Sequence, residues 1–432
     1  MTLLMAVLAF TVEPNHPSTL VYPPYGHCMG IYRAGPEQLN MLLGGLVRFN
    51  DPQGLAAVKL AEWDSPDASD DDELAVYGVN SGSGQIIYNA SMYTLGFYEG
   101  EGNSNDRLSS PHGIAATVAG DIYVADTGNG RVAVLSRRGS RIKATGYITG
   151  LEEPWDVALD GRGIWVTDRA GGALYRYASP ADQNPGVTTL DRPRGVAATG
   201  YERWTSGHSP FQAVVVEDGM ALVRVENGSV VRRVTPSDCG GSFFNYPAVD
   251  YHGNIWVTDS ISSKIHKFSP SLDYLASYGR GFGSDDDQFQ NPTGIAIWTR
   301  FGQVFIGERA GARYFWVGTD MRNLTINPRD RGLSLSGLLT EPTILIVNVL
   351  DAQGSVVRNL RTGHTPVGQF SYTWDGTTLG GVHAPAGDYT LVITGEATYS
   401  SRTYFKKTWR EVFTLGQPLV QPDSSSRGER GL

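Results

Sequence analysis

The feature that most constrains this fold is a sequence phrase that recurs six times, at intervals of roughly 40 to 60 residues. Each copy contains an alternating apolar run that ends in a polar residue, then a Gly-rich turn and a second alternating run, as in DIYVADTGNGRVAVL from Asp121. A shorter element, such as SPHGIAAT from Ser110, precedes each copy. Repeats of this length that each form four short strands predict the blades of a β-propeller.

Every copy begins at an anchor position, which is proline in five copies and phenylalanine in the other. The anchors are Pro52, Pro111, Pro154, Pro193, Phe244 and Pro292. One strand follows the anchor, a second ends at the polar residue, a third follows the turn, and a fourth leads to the next anchor. The sixth copy has no fourth strand of its own, because the chain changes character after Val317. We expect residues 26–33 to supply that strand and close the ring, which would leave no open sheet edge.

Composition agrees with an all-β chain and excludes some functions. The 432 residues include 53 glycines and show no long apolar stretch at helical period. A net charge of −9 without a Lys/Arg cluster disfavours nucleic acid as a partner. The apolar run at residues 3–10 is too short to span a bilayer. Residues 1–25 are therefore interpreted either as the remnant of a secretion signal or as a segment that packs on the ring.

The repeated phrase resembles the NHL repeat of six-bladed propellers, P-x-G-[IV]-A-x-D followed by G-N-I-[YW]-V-x-D-x-x-N-x-R. The second copy carries the pattern most fully, in Pro111, Gly113, Asp126, Asn129 and Arg131. The first copy has an asparagine where the pattern has the acid, and the fourth lacks Asn-x-Arg. The resemblance implies an NHL-type propeller over residues 26–317.

A different pattern begins near residue 322. The stretch TILIVNVLDAQGSVVRNL, followed by GQFSYTWDGTTLGGVHAPAGDYTLVITG, resembles the immunoglobulin-like domain of the flagellar hook-capping protein FlgD, a domain also attached to many bacterial secreted proteins. The resemblance rests on Asp351, Gly354, Val357, Arg358, Leu360, Trp374, Asp375, Gly376, Pro385, Ala386, Gly387 and Tyr389. It implies a β-sandwich over residues 322–416, before a polar tail at 417–432 that we expect to be flexible. The predicted fold class is all-β, a six-bladed β-propeller followed by an Ig-like β-sandwich.

Two sets of side chains are expected on one face of the disc, because the loop before strand one and the loop after strand two emerge together in an antiparallel blade. The anchor-plus-one set is Gln53, His112, Trp155, Arg194, Asn245 and Thr293. The set at the end of strand two is Asn80, Asp126, Asp168, Glu217, Asp259 and Glu308.

The acids at the end of strand two have two interpretations. They could accept hydrogen bonds from the amides of their own turns, or a ring of carboxylates could bind a metal ion or a cationic ligand. We favour the turn interpretation, because it accounts for the repetition itself.

The anchor-plus-one residues form the predicted binding face. NHL-type propellers include a lyase that holds zinc with histidines at this position, but here only His112 is a histidine and a zinc site needs three converging ligands. Tryptophan and arginine are enriched at binding hot spots, so Trp155 and Arg194 suggest a surface that binds a protein partner. The alternative for Trp155 is a plug between blades.

Two insertions, at 59–73 and 200–211, lengthen the connection between strands one and two on the opposite face. The first offers Asp64, Asp67, Asp70 and Asp72 as oxygen ligands for calcium. No EF-hand spacing is present, so a solvated acidic loop is the favoured interpretation, and no other cofactor is expected.

These observations predict a non-catalytic protein-interaction or scaffold module of a bacterial envelope or extracellular assembly. It would lie in the periplasm or at the cell surface and bind one or more protein partners through one propeller face, as a subunit of a larger complex. The alternative is a metal-dependent propeller lyase or hydrolase with its site at the central channel. Both rest partly on analogy at the level of fold.

Overall fold

A computed structural model describes residues 10–12, 19–63, 73–100, 105–199, 212–329, 331–399 and 404–416. The described chain is nearly all strand and divides into two compact units. The first unit contains Leu20–Val317 with Tyr399–Tyr404. The second contains Gly318–Thr398 together with the strands Phe10–Val12 and Phe405–Leu415.

Six antiparallel sheets make up the first unit, and in each of them the strands between one anchor and the next pair in chain order. Blade one contains Pro52–Val58, Ala75–Asn80, Gln85–Ser91 and Thr94–Tyr98, and blade two contains Ile114–Ala116, Asp121–Asp126, Arg131–Arg138 and Arg141–Ile148. Blade three contains Pro154–Leu159, Ile164–Asp168, Ala173–Tyr177 and Gly186–Thr189. Blade four contains Pro193–Ala198, Ala213–Glu217, Ala221–Glu226 and Ser229–Val234. Blade five contains Phe244–Val249, Ile255–Asp259, Lys264–Phe268 and Tyr274–Tyr278, and blade six contains Ile295–Trp298, Gln303–Glu308 and Gly311–Val317.

The first strands of consecutive blades contact each other, and the first strand of blade six contacts that of blade one, so the six sheets form a closed ring. Second strands such as Ile164–Asp168 and Ile255–Asp259 are buried along their whole length. Each begins with three consecutive apolar residues, Ile-Trp-Val, because a neighbouring blade packs on each face of the sheet. The predicted six-bladed β-propeller is confirmed.

The N-terminal chain completes blade six in two short pieces. Leu20–Val21 pairs with Trp316 and Val317, and Arg33–Ala34 pairs with Ala312 and Arg313 on the same strand. The sequence predicted one strand over 26–33. A 3₁₀ turn at Cys28–Gly30 lies there instead, with Met29 at a φ of 58°, a left-handed conformation that no strand can contain.

Blades three and five each have an aspartate in the turn between strands one and two. We call it the hairpin aspartate. In blade three, Asp160 accepts hydrogen bonds from Trp165 Nε1 (3.0 Å) and from Arg176 (2.8 Å). In blade five, Asp250 accepts one from Trp256 Nε1 (3.0 Å) and lies 3.3 Å from Lys267 Nζ. The tryptophan and the base come from strands two and three, so one side chain joins three strands.

The second unit is a sandwich of two sheets. One sheet has the strand order Phe10–Val12, Phe405–Leu415, Gly387–Ala397, Thr343–Leu350 and Val356–Thr365, and the other has Met321–Arg329, Gly332–Leu339 and Gly368–Trp374. Trp374 lies in the core between them with its ring edge against Tyr389 and Phe413. The predicted Ig-like β-sandwich is confirmed as a fold.

Little of the described chain is helical. One α-helix, Pro36–Leu42, begins with proline at its first position, where the missing N–H costs nothing. Within the residues that the structure describes, no helix has the length and apolar character needed to cross a membrane. Cys28 and Cys239 are both buried and both free.

Candidate functional site

The five acids at the end of strand two, and Asn80 in blade one, have the same kind of backbone partner in every blade. Each accepts a hydrogen bond from the backbone amide two residues before the anchor of its own blade. The pairs are Asn80 with Asn50 (2.7 Å), Asp126 with Ser109 (2.7 Å), Asp168 with Glu152 (2.9 Å), Glu217 with Asp191 (3.0 Å), Asp259 with Ser242 (2.5 Å) and Glu308 with Gln290 (3.0 Å). Each side chain therefore fastens the loop that enters its blade to the end of strand two.

The remaining oxygens of these acids have partners that differ between blades. Asp126 accepts from Asn129 (2.8 Å) and Arg131 (2.7 Å), Glu308 from Arg313 (3.0 Å), and Glu217 pairs with Arg233. Asp168 accepts from the amides of Glu153 and Gly171, and Asp259 from the amides of Ile261 and Ser262. All five acids are buried. Amides of the following turn thus contribute in blades three and five, as the turn interpretation expected.

His266 gives Asp259 an imidazole partner, with Nε2 3.3 Å from the carboxylate. Burial alone would raise the pKa of Asp259, but this contact and the amides of Ser262 and Ser242 outweigh it and lower that pKa below its ordinary value. Across the described residues, no three His, Cys, Asp or Glu side chains are grouped so that they could hold a metal ion. Each of the five acids accepts at least one hydrogen bond from a donor of the chain itself.

Three of the six anchor-plus-one residues form a stack across consecutive blades. The ring of His112 lies 3.8 Å from that of Trp155, centroid to centroid, and the guanidinium of Arg194 lies 4.2 Å from the centroid of the indole. All three are half-buried. His112 Nδ1 lies 2.9 Å from the carbonyl of Ser110. Burial lowers the pKa of His112 to about 4, so its ring is neutral at pH 7.

Gln53, the anchor-plus-one residue of blade one, is tied to blade five, because its Oε1 accepts a hydrogen bond from the hydroxyl of Tyr246 at 3.0 Å. Asn245 and Thr293 are the half-buried anchor-plus-one residues of blades five and six, and Thr293 Oγ1 lies 3.4 Å from the carbonyl of Gly307.

The residues two positions after each anchor lie at one end of the channel along the ring axis, and they close that end. This anchor-plus-two position holds glycine in four blades, at Gly54, Gly113, Gly195 and Gly294, but Asp156 in blade three and Tyr246 in blade five. Neighbouring first strands approach closely here: the amide of Gly54 donates to the carbonyl of His112 at 3.0 Å. A Cβ on Gly54 would lie 2.8 Å from that oxygen, so this level requires glycine wherever a neighbouring backbone is in contact.

Beyond the closed end lies a cavity of about 460 Å³ that follows the axis of the ring to the opposite face. Two tiers of apolar side chains from the first strands line it. The inner tier is Leu55, Ile114, Val157, Val196, Pro247 and Ile295, and the outer tier is Ala57, Ala116, Leu159, Ala198, Val249 and Ile297. The mouth is lined by residues at or just after the ends of the first strands, among them Tyr251, His252 and Trp298.

Asp156 is the carboxyl group at the closed end of this cavity. Its Oδ1 accepts from the amide of Val157 and its Oδ2 from the amide of Val196, each at 2.8 Å. Burial raises the pKa of Asp156 to about 8, because the two amides offset the loss of water only in part. Within the described chain, no basic side chain pairs with it.

Sequence reasoning missed Asp156 and Tyr246 as channel residues. The signal was available, since both stand at a position that is glycine in the other four blades. The residues of the predicted calcium loop, Asp64, Asp67, Asp70 and Asp72, lie outside the described residues, as does Trp204 in the second insertion.

Comparison with known families matches residues 108–135 to the NHL repeat and residues 336–398 to the FlgD Ig-like domain. A search of the curated proteins found no sequence that matches the chain.

Solved structures with a similar fold include a virginiamycin B lyase from Staphylococcus aureus, at 15% identity over 59% of this chain and 82% of that one, with a TM-score of 0.41. A gluconolactonase from Xanthomonas campestris is 13% identical over 70% of this chain and 99% of its own, with a TM-score of 0.43. PorZ, a surface component of the type-IX secretion system of Porphyromonas gingivalis, is 13% identical over 88% of this chain and 54% of its own, with a TM-score of 0.45. At these identities the resemblance is one of fold.

Proposed function

Because the chain combines an NHL-repeat propeller with a FlgD-type immunoglobulin-like domain, we propose that it is a non-catalytic interaction module of a bacterial envelope or extracellular assembly. It acts in the periplasm or at the cell surface, as a subunit that binds a protein partner through the propeller. The sandwich serves as a spacer or docking element.

The observation that carries this proposal is the stack of His112, Trp155 and Arg194. An aromatic ring in contact with both an imidazole and a guanidinium is already ordered before a partner arrives, so little side-chain entropy is lost on binding. Tryptophan and arginine are also the residue types that contribute most at protein interfaces.

Charge at this face indicates the chemistry of the partner. Arg169 pairs with Glu153 (2.9 Å) and Arg192 with Asp218 (3.4 Å), whereas among the described residues no carboxylate pairs with Arg194. Burial lowers the pKa of Arg194, and the carboxylates of Asp218 and Glu153, which act on it without forming an ion pair, offset this only in part. A partner carboxylate placed against Arg194 would supply a direct ion pair.

The experiment is affinity capture from an envelope fraction, followed by measurement of the dissociation constant with the purified partner. Trp155→Ala should weaken association by about 2 kcal/mol or more, and Arg194→Ala should weaken it as well. Trp204→Ala, in the insertion that the sequence predicts on the opposite face, is the control and should bind normally. A partner that responds to Trp204 and ignores both stack residues would place the interface on the other face.

A second candidate is the metal-dependent lyase or hydrolase with its site in the channel. The cavity of about 460 Å³ with Asp156 at its closed end favours it, since large pockets that hold a perturbed carboxyl group are common sites of chemistry. Elemental analysis of the purified protein tests this candidate. A stoichiometric transition metal, lost together with a ligand-binding signal on chelation, would support it over the interaction module.

A further inference from the structure

We propose that the propeller channel is a binding site for a linear alkylammonium ion, with the alkyl chain against the apolar tiers and the ammonium group at Asp156. This site lies on the axis of the ring, opens away from the Trp155 stack and is independent of the partner surface proposed above.

The shape and polarity of the cavity match an unbranched apolar chain. Both tiers that line it consist of alanine, valine, leucine, isoleucine and proline side chains. From the outer tier to the level of Asp156 is three residues along a first strand, or roughly 10 Å at the rise of an extended chain. A ligand that fills this length buries apolar surface on all sides, and that burial supplies most of the favourable free energy of binding in such pockets.

The position of Asp156 indicates that the ligand carries a charge. Four blades have glycine at this level, so the packing of the ring does not require a carboxyl group here. A carboxylate has about four acceptor positions, and the amides of Val157 and Val196 occupy two of them. The side chain lines the cavity, and an ammonium group, with three donors, could occupy the remaining positions.

The electrostatics of the closed end favour a cation over an anion or a second acid. Tyr246 is the other titratable group that faces Asp156, and burial raises its pKa well above 10, so it stays neutral. Asp250 and His252 lie at the mouth of the cavity. A buried carboxylate without a counter-ion is unfavourable, and an arriving ammonium ion would remove that penalty. Because the pKa of Asp156 is raised to about 8, binding of a cation near pH 7 should release a proton.

The test is isothermal titration of the full chain at pH 7 with n-hexylammonium and with n-hexanol, in two buffers of different ionisation enthalpy. We expect n-hexylammonium to bind about tenfold or more tightly than n-hexanol, with release of close to one proton. Asp156→Asn should bring the two affinities together. Asp156→Gly introduces the residue that four other blades have at this position, and it should have the same effect. This second variant is needed because asparagine can accept from only one of the two amides with its single side-chain oxygen. Asp286→Asn, at an acid with 84% of its side chain exposed, is the control and should bind as the unmodified chain does.

Equal binding of the alcohol and the ammonium ion, or an unchanged affinity for n-hexylammonium in a folded Asp156→Gly variant, would overturn the proposal. Partner binding at Trp155 is measured separately, so either proposal can fail alone.

Discussion

At the scale of single residues, the acid at the end of strand two is buried and hydrogen-bonded in all five blades that have one. Asp126 is fully buried and receives donors from Ser109, Asn129 and Arg131. Replacing it with alanine leaves these donors without an acceptor. We expect Asp126→Ala to lower the free energy of unfolding by about 1–3 kcal/mol, measured by urea denaturation.

The control for Asp126 is Asp286→Ala, which removes an exposed ion pair with Arg33 and should change stability by about 0.5 kcal/mol or less. If Asp126→Ala leaves stability intact and instead abolishes binding of a metal ion, the carboxylate is a ligand and not a structural tie.

Asp156 predicts a dependence of stability on pH. Its pKa is about 8 in the folded chain against an ordinary 3.8, so between these values the folded state binds more protons than the unfolded state. The free energy of unfolding should therefore fall as pH rises from about 4 to about 8, at up to about 1.4 kcal/mol per pH unit from this group. Urea denaturation of the unmodified chain and of Asp156→Gly from pH 5 to 9 isolates this contribution. Parallel curves for the two proteins would show that the carboxyl group titrates normally.

The sequence predicted the acids at the end of strand two but not the groups that donate hydrogen bonds to them. The acids could be found because they occupy the same position in successive repeats. Their constant partner, the amide two residues before the anchor, was missed because a backbone donor has no residue signature, as at Asn50 and Ser109. Arg233, the partner of Glu217, comes from strand four and has no counterpart in the repeated phrase.

At the scale of elements, ring closure depends on two short strands. Leu20–Val21 and Arg33–Ala34 both pair with Gly311–Val317, the outermost strand that blade six contributes itself. Deleting residues 1–35 removes both pairings and exposes this strand as an open edge, so we expect insoluble or aggregated protein in a sedimentation assay. Deleting only residues 1–18 keeps both strands and should leave the propeller soluble. A 1–35 deletion that melts like the full chain would show that the ring closes without them.

The sequence predicted closure by the N-terminal chain but not its division into two strands. The break depends on Met29, whose left-handed backbone is unusual for a residue with a Cβ and carries no sequence signal.

The two hairpin aspartates can be compared directly, because the basic side chains beside them differ in burial. Lys267, beside Asp250, is fully buried, whereas the side chain of Arg176, beside Asp160, is 38% exposed. Asp250→Ala removes the carboxylate beside a fully buried cation and should cost about 3–5 kcal/mol of unfolding free energy. Asp160→Ala leaves its cation in contact with water and should cost clearly less, about 1–2 kcal/mol. Equal losses in chemical denaturation would mean that most of the stabilisation comes from the hydrogen bond to tryptophan, which both blades have.

At the scale of the whole molecule, the chain contains two cores built by different rules. The propeller core is spread over the interfaces between blades, and the sandwich core lies between two sheets. The sequence predicted both domains, because a repeat of about 40 to 60 residues and a non-repeating strand pattern indicate two different architectures. The sequence did not predict the face at which the channel opens, because that depends on how closely backbones approach at Gly54 and its equivalents.

Two tryptophans test whether these cores unfold separately. Trp256 is fully buried in the propeller and Trp374 is 1% exposed in the sandwich, so replacing either with alanine should cost about 3–5 kcal/mol in its own core. Domains with their own cores tend to unfold as separate cooperative units, and we expect two transitions in differential scanning calorimetry. Trp374→Ala should shift one transition and Trp256→Ala the other, each by several degrees. If both substitutions instead lower one common transition, the two units unfold as a single cooperative unit, and the immunoglobulin-like domain then contributes to the stability of the propeller.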